Sequence, residues 1–236
     1  MLKILFKNTM KKVSIIITCY NHEDYLDEAI NSIRGQIEQP DEVILVHDGC
    51  TKSCKAYSGV TTIFSGTNQG VCKARDMGFK ISTGSHIIFF DADDVMPPNY
   101  IKEMVSVDAD VVYPNCVVWS RWGESTYANG WHEAPERIKM EKMLKRNEIL
   151  MTSLFKREWY DKVGGFDNTL PLFEDYDFWL KCLANGATFK KSRAFLMYRQ
   201  REKSRNHQSD EIKVKTYRRI IEKFTLNDKK SDKVKV

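Results

Sequence analysis

At 236 residues the chain can bury a full core as one large domain or two small ones. Hydrophobic residues at 42% and charged residues at 29% exclude a disordered or collagen-like chain, and no apolar run approaches the roughly 18 residues of a bilayer span. The net charge of +5 is segregated: residues 190–236 hold 16 Lys or Arg against 6 Asp or Glu, which leaves −5 on the first 189. Such a basic end is either a solvated surface or a contact for a polyanionic partner.

Taken in chain order, Met1 to Lys12 carries an apolar patch (Leu2, Ile4, Leu5, Phe6) broken by lysines. It is too short for a secretory core and lacks a small-residue cleavage site. With Met10 just before the first strand, residues 1–9 read as a dispensable extension. Val13 to Thr18 is a buried strand, and residues 23–34 place Leu26, Ala29, Ile30 and Ile33 on one helical face. Gln39-Pro40-Asp41 ends that helix. Glu42 to Val46 is a second strand running into His47-Asp48-Gly49, and Val60 to Phe64 a third. A helix follows Asn68-Gln69-Gly70 with Val71, Ala74, Met77 and Gly78 or Phe79 inward. The fourth strand, Ile87 to Phe90, leads into Asp91-Ala92-Asp93-Asp94. This alternation predicts an α/β fold with a parallel sheet flanked by helices.

After Pro114 the rhythm weakens. Residues 119–135, rich in Trp, Gly and charge, read as an irregular loop or short antiparallel strands. Helical patterns return at 136–147 and 174–184, strand patterns at Thr152 to Phe155 and Ala194 to Tyr198. Residues 209–224 form a last helix capped by Ser209, with Ile212, Ile220, Ile221 and Phe224 packing and Lys213, Arg218, Arg219 and Lys223 in water. The Lys-rich end beyond Asn227 reads as disordered. The six cysteines are scattered, and Cys50-x-x-x-Cys54 has no second pair to complete a zinc site. Reduced thiols in a cytoplasmic protein fit this pattern.

The Asp-rich junction carries the chemistry. Three carboxylates at one strand end repel unless a cation or hydrogen-bond donors hold them, and strand ends of open α/β sheets are where ligands bind. The stretch reads either as a site for Mg²⁺ or Mn²⁺, shared with substrate phosphates, or as an Asp-rich turn capping the helix near Pro98.

Further polar strings stand at Thr18-Cys19-Tyr20-Asn21, at Asp48-Gly49, at Gly164-Gly165-Phe166-Asp167, and at Phe173-Glu174-Asp175-Tyr176-Asp177. In this order, with Asn68-Gln69-Gly70 and the aspartates, the chain resembles the family 2 glycosyltransferases with the GT-A fold, from about Val13 to Tyr198. The resemblance implies a Rossmann-like, mostly parallel sheet flanked by helices, a smaller mixed acceptor-binding region and a basic C-terminal helix. It divides the chain into an extension (1–12), a nucleotide-sugar-binding half (13–114), an acceptor-binding and catalytic-base half (115–200), and a basic helix and tail (201–236).

The activity it implies is an inverting, metal-assisted transfer of a hexosyl or pentosyl group from a nucleoside-diphosphate sugar to an acceptor hydroxyl. Thr18 and Tyr20 would meet the nucleotide, with the ring stacking on the base, and Asp48 the base edge. Arg75 either faces the diphosphate or is a surface helix arginine. Asp91 would hold ribose or metal and Asp93 the metal, as the divalent cofactor, Mn²⁺ or Mg²⁺. Asp175 would be the base that deprotonates the acceptor, with Glu174 orienting it or holding the sugar; simple helix capping is the alternative for both. Trp119, Trp122, Trp131 and Tyr127 would form a platform or simply pack.

Two departures stand out. His47 replaces the first Asp of the family's Asp-Asp-Gly, and Arg201 stands where many relatives place a metal-ligating histidine. Arginine has no lone pair for a cation, so metal binding is expected to be either weaker or shared with His207, and Arg201 is expected on the pyrophosphate. For the acceptor, a glycan or lipid-linked glycan and a hydroxylated base of DNA, tracked by the basic tail, both stay open. A nucleotide-binding protein without catalysis is the third reading.

Overall fold

The computed structural model describes residues 11–51, 54–122, 125–201 and 208–231. Val13–Cys19 forms β1, in which only Thr18 is not fully buried. Its alternating side chains feed two cores: Ile16 joins one, Ile15 and Ile17 the other. Glu23–Arg34 forms α1 and turns Leu26, Ala29, Ile30 and Ile33 inward, as the period requires. Glu42–Asp48 and Thr61–Ser65 form β2 and β3.

Val71–Ile81 forms α2. Its inward face is Cys72, Ala74, Arg75, Gly78 and Phe79, so the helix is rotated from the expected face and Val71 and Met77 are only part-buried. Two contacts fix that rotation. A Cβ on Gly78 would lie 2.3 Å from Ile16 Cγ2, so only glycine lets the helix sit this close to β1. Arg75 is drawn inward by carboxylates described below.

His86–Asp91 forms β4, Tyr100–Val105 α3, Val111–Trp122 β5 and Ser125–His132 β6. Residues 119–135 are thus mostly a long antiparallel hairpin, with a register shift at Val118/Trp119. The expected helix at 136–147 is a single turn, α4 (Met140–Met143). Neighbouring tyrosines take the carbonyls that a longer helix would use: Tyr176 Oη donates to Met143 O and Tyr217 Oη to Leu144 O. Leu154–Lys156 is β7, and Arg157–Val163 is α5, too short to leave a period in the sequence. Glu174–Ala184 is α6, Phe189–Arg199 β8 and Asp210–Ser231 α7. No helix among the described residues is long and apolar enough to cross a membrane.

One sheet runs in the order β3-β2-β1-β4-β7-β5-β6, with β8 paired to β5. The first four strands are parallel; β7 and β5 then run antiparallel to their neighbours, and β8 runs parallel to β5. One core holds α2, α6 and α7 residues such as Phe79, Phe178, Trp179 and Ile220; the other holds α1 and α3.

Lys223 is not in water as its sequence position suggests. Its ammonium donates to Asp167 at 2.8 Å and to Asp177, fully buried on α6, at 2.6 Å. The pair ties α7 to α6 and to the Gly-Gly-Phe-Asp turn. Lys223→Met would leave Asp177 with Lys181 alone, 3.4 Å away. A broken buried pair costs about 3–5 kcal/mol; Lys223 keeps some solvent contact, so we expect about 2 kcal/mol and a Tm roughly 5 °C lower. Thermal melts check this, and an unchanged Tm would mean that the pair is solvated.

Candidate functional site

Between β1 and β4 the order in which strands are added reverses, and their carboxyl ends lie side by side with Thr18 opposite Asp91. A crevice of this kind is where open α/β sheets bind ligands. A cavity of about 840 Å³ opens there, lined by Thr18, Tyr20, Asp48, Arg75, Asp91, Asp93, Glu174, Asp175 and Arg201. All nine residues singled out in the sequence therefore meet at one cavity, although α6 lies about a hundred residues beyond α2.

On one wall, Asp48 is buried at the end of β2, and its two carboxylate oxygens accept from Gln69 N at 2.8 Å and Gly70 N at 2.9 Å. This bond joins β2 to the start of α2. Gly49 makes it possible: its φ is +69°, and a Cβ there would lie 2.1 Å from Asn68 N. Tyr20 is 44% exposed and presents its ring to the cavity mouth. His47, by contrast, is buried, stacked on Phe64 with ring centroids 5.2 Å apart, and is not among the lining residues.

The floor is held by Arg75. It is buried, with Nη1 donating to Glu174 Oε1 and Nη2 to Asp91 Oδ1, both at 3.1 Å. It is not a surface arginine. Burial opposes its charge, but Asp91, Glu174 and Asp175 outweigh burial and hold its pKa above the ordinary value. Beside it, burial and then repulsion from Glu174 push the Asp175 carboxyl up to about 6, against the pull of Arg75. Asn147 Nδ2 donates to Asp175 Oδ2 at 2.9 Å and fixes its orientation. A carboxyl poised near neutrality on a cavity wall is a suitable proton acceptor.

The opposite wall carries Asp93, whose Oδ2 accepts from Arg201 Nε at 2.5 Å. Asp94, also at the cavity, is buried and accepts from Arg199 N at 2.9 Å. Burial and then the charges of Asp93 and Asp91 raise its pKa well above the usual carboxylate range. Arg199 is itself buried, its guanidinium 3.9 Å from the Trp119 ring and paired with Glu28. All three aspartates line the cavity; Asp91 and Asp93 each use one oxygen on an arginine in these contacts, while Asp94 is held by the Arg199 backbone. Two hard carboxylates on one cavity wall, with room for phosphate oxygens, suit a divalent cation that binds through one or two protein ligands.

Sequence reasoning missed Asn147 and His22, both of which line the cavity. His22 sits in the turn after β1 and Asn147 in the turn after α4, and neither residue type carries a signal in isolation. Of the four aromatics read as a platform or as packing, Trp119 is buried against Arg199 and Trp131 is 54% exposed on the hairpin, and neither lines the cavity. The side chains of Trp122 and Tyr127, and His207, lie outside the described residues.

Residues 14–176 match the family described as Glycosyl transferase family 2. An uncharacterized glycosyltransferase of Haemophilus influenzae is 32% identical over 183 residues, covering 72% of this chain and 62% of that protein. Glycosyltransferase GlyG of Streptococcus pneumoniae is 27% identical, covering 64% of this chain and 58% of its own length. Among solved structures, residues 1–349 of S. aureus TarS in complex with UDP align with a TM-score of 0.64 and 19% identity, over 89% of this chain and 64% of that one. The same protein in complex with UDP-GlcNAc aligns with a TM-score of 0.63 and 19% identity, over 84% and 61%. The chain thus spans less than two thirds of the length of each of these proteins.

The charges around Asp175 predict opposite shifts for two substitutions. Glu174→Gln removes a repelling charge and should lower the Asp175 pKa from about 6, whereas Arg75→Met removes an attracting one and should raise it. NMR titration of the side-chain carboxyl carbons checks both directions; two shifts of the same sign would contradict this electrostatic account.

Proposed function

The chain belongs to glycosyl transferase family 2, and on that premise we propose that it transfers a sugar from a nucleoside-diphosphate sugar to an acceptor hydroxyl by one inverting displacement, with Asp175 as base. The observation that supports this reading most is the Arg75 bridge between Glu174 and Asp91, with Asp175 beside it, in the cavity that Asp93 also lines.

In this reading Asp175, oriented by Asn147, accepts the proton of the acceptor hydroxyl. The hydroxyl oxygen bonds to the anomeric carbon from the face opposite the diphosphate, and the bond from that carbon to the diphosphate oxygen breaks. The electron pair leaves with the diphosphate. Tyr20 stacks on the base, and Thr18 with Asp48 lines its edge, beside the start of α2, whose backbone N–H groups favour anions. Arg201 meets the diphosphate from its place on Asp93. Asp91 and Asp93 would hold a divalent cation, Mg²⁺ or Mn²⁺, which when bound stabilises charge on the leaving oxygen. TarS, bound to UDP-GlcNAc and to UDP in the aligned structures, makes a uridine nucleotide the first donor to try.

Two experiments test this reading. Asp175→Asn should lose between about a hundred-fold and ten-thousand-fold in kcat, the range of general-base catalysis. Its folded form should be at least as stable at neutral pH. The sign follows from the raised carboxyl: its ionisation disfavours the fold as pH climbs from the ordinary carboxylate range through about 6, and asparagine has no such ionisation. Wild-type kcat should rise with pH through about 6 for the same reason. Release of free nucleoside diphosphate and a melting curve give both readouts; an active Asp175→Asn variant would remove the base assignment.

Donor binding is tested separately. UDP with Mn²⁺ should raise the Tm, since a ligand of the native state stabilises it by mass action. Arg201→Ala should weaken that shift and raise the donor KM about tenfold, as expected for the loss of a charge-assisted contact. Unchanged donor affinity in Arg201→Ala would return Arg201 to a purely structural partner of Asp93.

A further inference from the structure

We propose that the chain carries a second cation site, of the zinc class, beside the cavity, built from Cys19, His47 and Cys50, with Glu23 flanking Cys50. The ligating atoms of Cys19, His47 and Cys50 all lie within 4.8 Å of one another, and those of Glu23, Cys50 and Cys54 form a second such group that shares Cys50. Cys50 Sγ is 4.0 Å from Cys19 Sγ and 3.4 Å from His47 Nδ1. Tetrahedral zinc with its usual bond lengths holds its sulfur and nitrogen ligands roughly 3.5–3.8 Å apart. Small rotamer adjustments therefore bring the three onto one ion.

The histidine is prepared for this role. Its Nε2 lies 3.0 Å from the Lys55 carbonyl oxygen, which can only accept, so Nε2 carries the proton. Nδ1 is left with its lone pair toward Cys50. A ring nitrogen donating to a backbone carbonyl while the other faces the ligand cluster is the usual support of a metal-bound histidine. The parallel stack on Phe64 holds the ring plane.

An independent observation comes from Glu23. It is 6% exposed, its carboxylate has no N–H or O–H donor within hydrogen-bond distance, and the thiol of Cys50 is the group beside it. An isolated buried carboxylate is costly, and the start of α1 offers it only a modest dipole. A cation held beside the Cys50 sulfur would answer that charge.

The donor set distinguishes this site from the carboxylate pair Asp91 and Asp93. Thiolate and imidazole select zinc-class ions, whereas carboxylate oxygen suits Mg²⁺ or Mn²⁺. The spacing of Cys50 and Cys54 gave no zinc pattern because the other ligands come from the end of β1 and the end of β2. An ion there would staple those segments beside Thr18, Tyr20 and Asp48. The proposal does not depend on sugar transfer, and it explains why histidine and cysteine stand on either side of Asp48-Gly49.

The test is a Co²⁺ titration of the full chain, purified in reductant and stripped with chelator. About one equivalent should produce thiolate-to-cobalt charge-transfer absorption, removed by one equivalent of Zn²⁺. Cys50→Ser and His47→Ala should each weaken the affinity at least about tenfold, and Asp93→Asn should leave it unchanged. Should those variants fail to fold, Zn²⁺ should still protect Cys19 and Cys50 of the wild-type chain from alkylation, read by peptide mass. Absence of the charge-transfer band, an unaltered band in Cys50→Ser, its loss in Asp93→Asn, or alkylation indifferent to Zn²⁺ would each overturn the site.

Discussion

The buried guanidinium of Arg75 is the constraint on which the cavity depends. It lies on α2 and reaches in opposite directions, to the end of β4 through Asp91 and to the start of α6 through Glu174. These segments come from distant parts of the chain and carry like charges that would otherwise drive them apart. A buried cation fixed between them converts repulsion into a bridge, fully buried toward Glu174 and part-exposed toward Asp91. It is also why α2 is rotated: turning Arg75 inward moves Val71 and Met77 toward the surface. Guanidinium suits the role because its planar fork serves two carboxylates at once and cannot lose its proton.

The same bridge sets the chemistry of its neighbour. Asp175 follows Glu174 on α6, and its carboxyl is raised because burial and Glu174 together outweigh Arg75. Had Arg75 paired with Asp175 directly, that carboxyl would be a strong acid and a poor base. By occupying Glu174 and Asp91 instead, the guanidinium leaves the adjacent carboxyl near neutrality, with Asn147 rather than a cation as its partner. Phe173, which precedes the pair with a φ of +62°, shows backbone strain at this helix start, a cost that active sites commonly carry.

Much of this was legible in the sequence because it is written in local patterns. The Ile-rich first strand, the period of α1 and the Asp-rich end of β4 each follow from neighbouring residues alone, and Glu174 opens a helix where the acidic pair and following apolar face require one. What remained hidden depends on distant partners. Arg75 reads equally as a diphosphate-facing residue or a surface arginine until Glu174 is brought to it; Asn147 has no meaning until α6 arrives; and the helical pattern at 136–147 fails because Tyr176 and Tyr217 claim the carbonyls of its single turn. Trp119 reads equally as part of a sugar platform or as packing, and it is a buried surface for Arg199. Periodicity records which face of an element is wet, not which distant charge will be laid on it.

The basic C-terminal end shows the same principle at the scale of the whole chain. Read linearly, an acidic body followed by a basic segment invites an external polyanion. In three dimensions several of those cations face the body's own carboxylates: Lys191 meets Glu133 and Glu136, Arg199 meets Glu28, Arg201 meets Asp93, and Lys223 meets Asp167 and Asp177. The partners of Arg201 and Lys223 are the informative ones, since Asp93 lies on the cavity wall and Asp177 on the helix that opens with Asp175. At least four of the sixteen cations are therefore paired within the molecule, and the pairs of Arg201 and Lys223 hold carboxylate-bearing elements beside the cavity. What is left for an outside partner is smaller than the linear count implies, and this weakens charge segregation as an argument for a nucleic-acid acceptor.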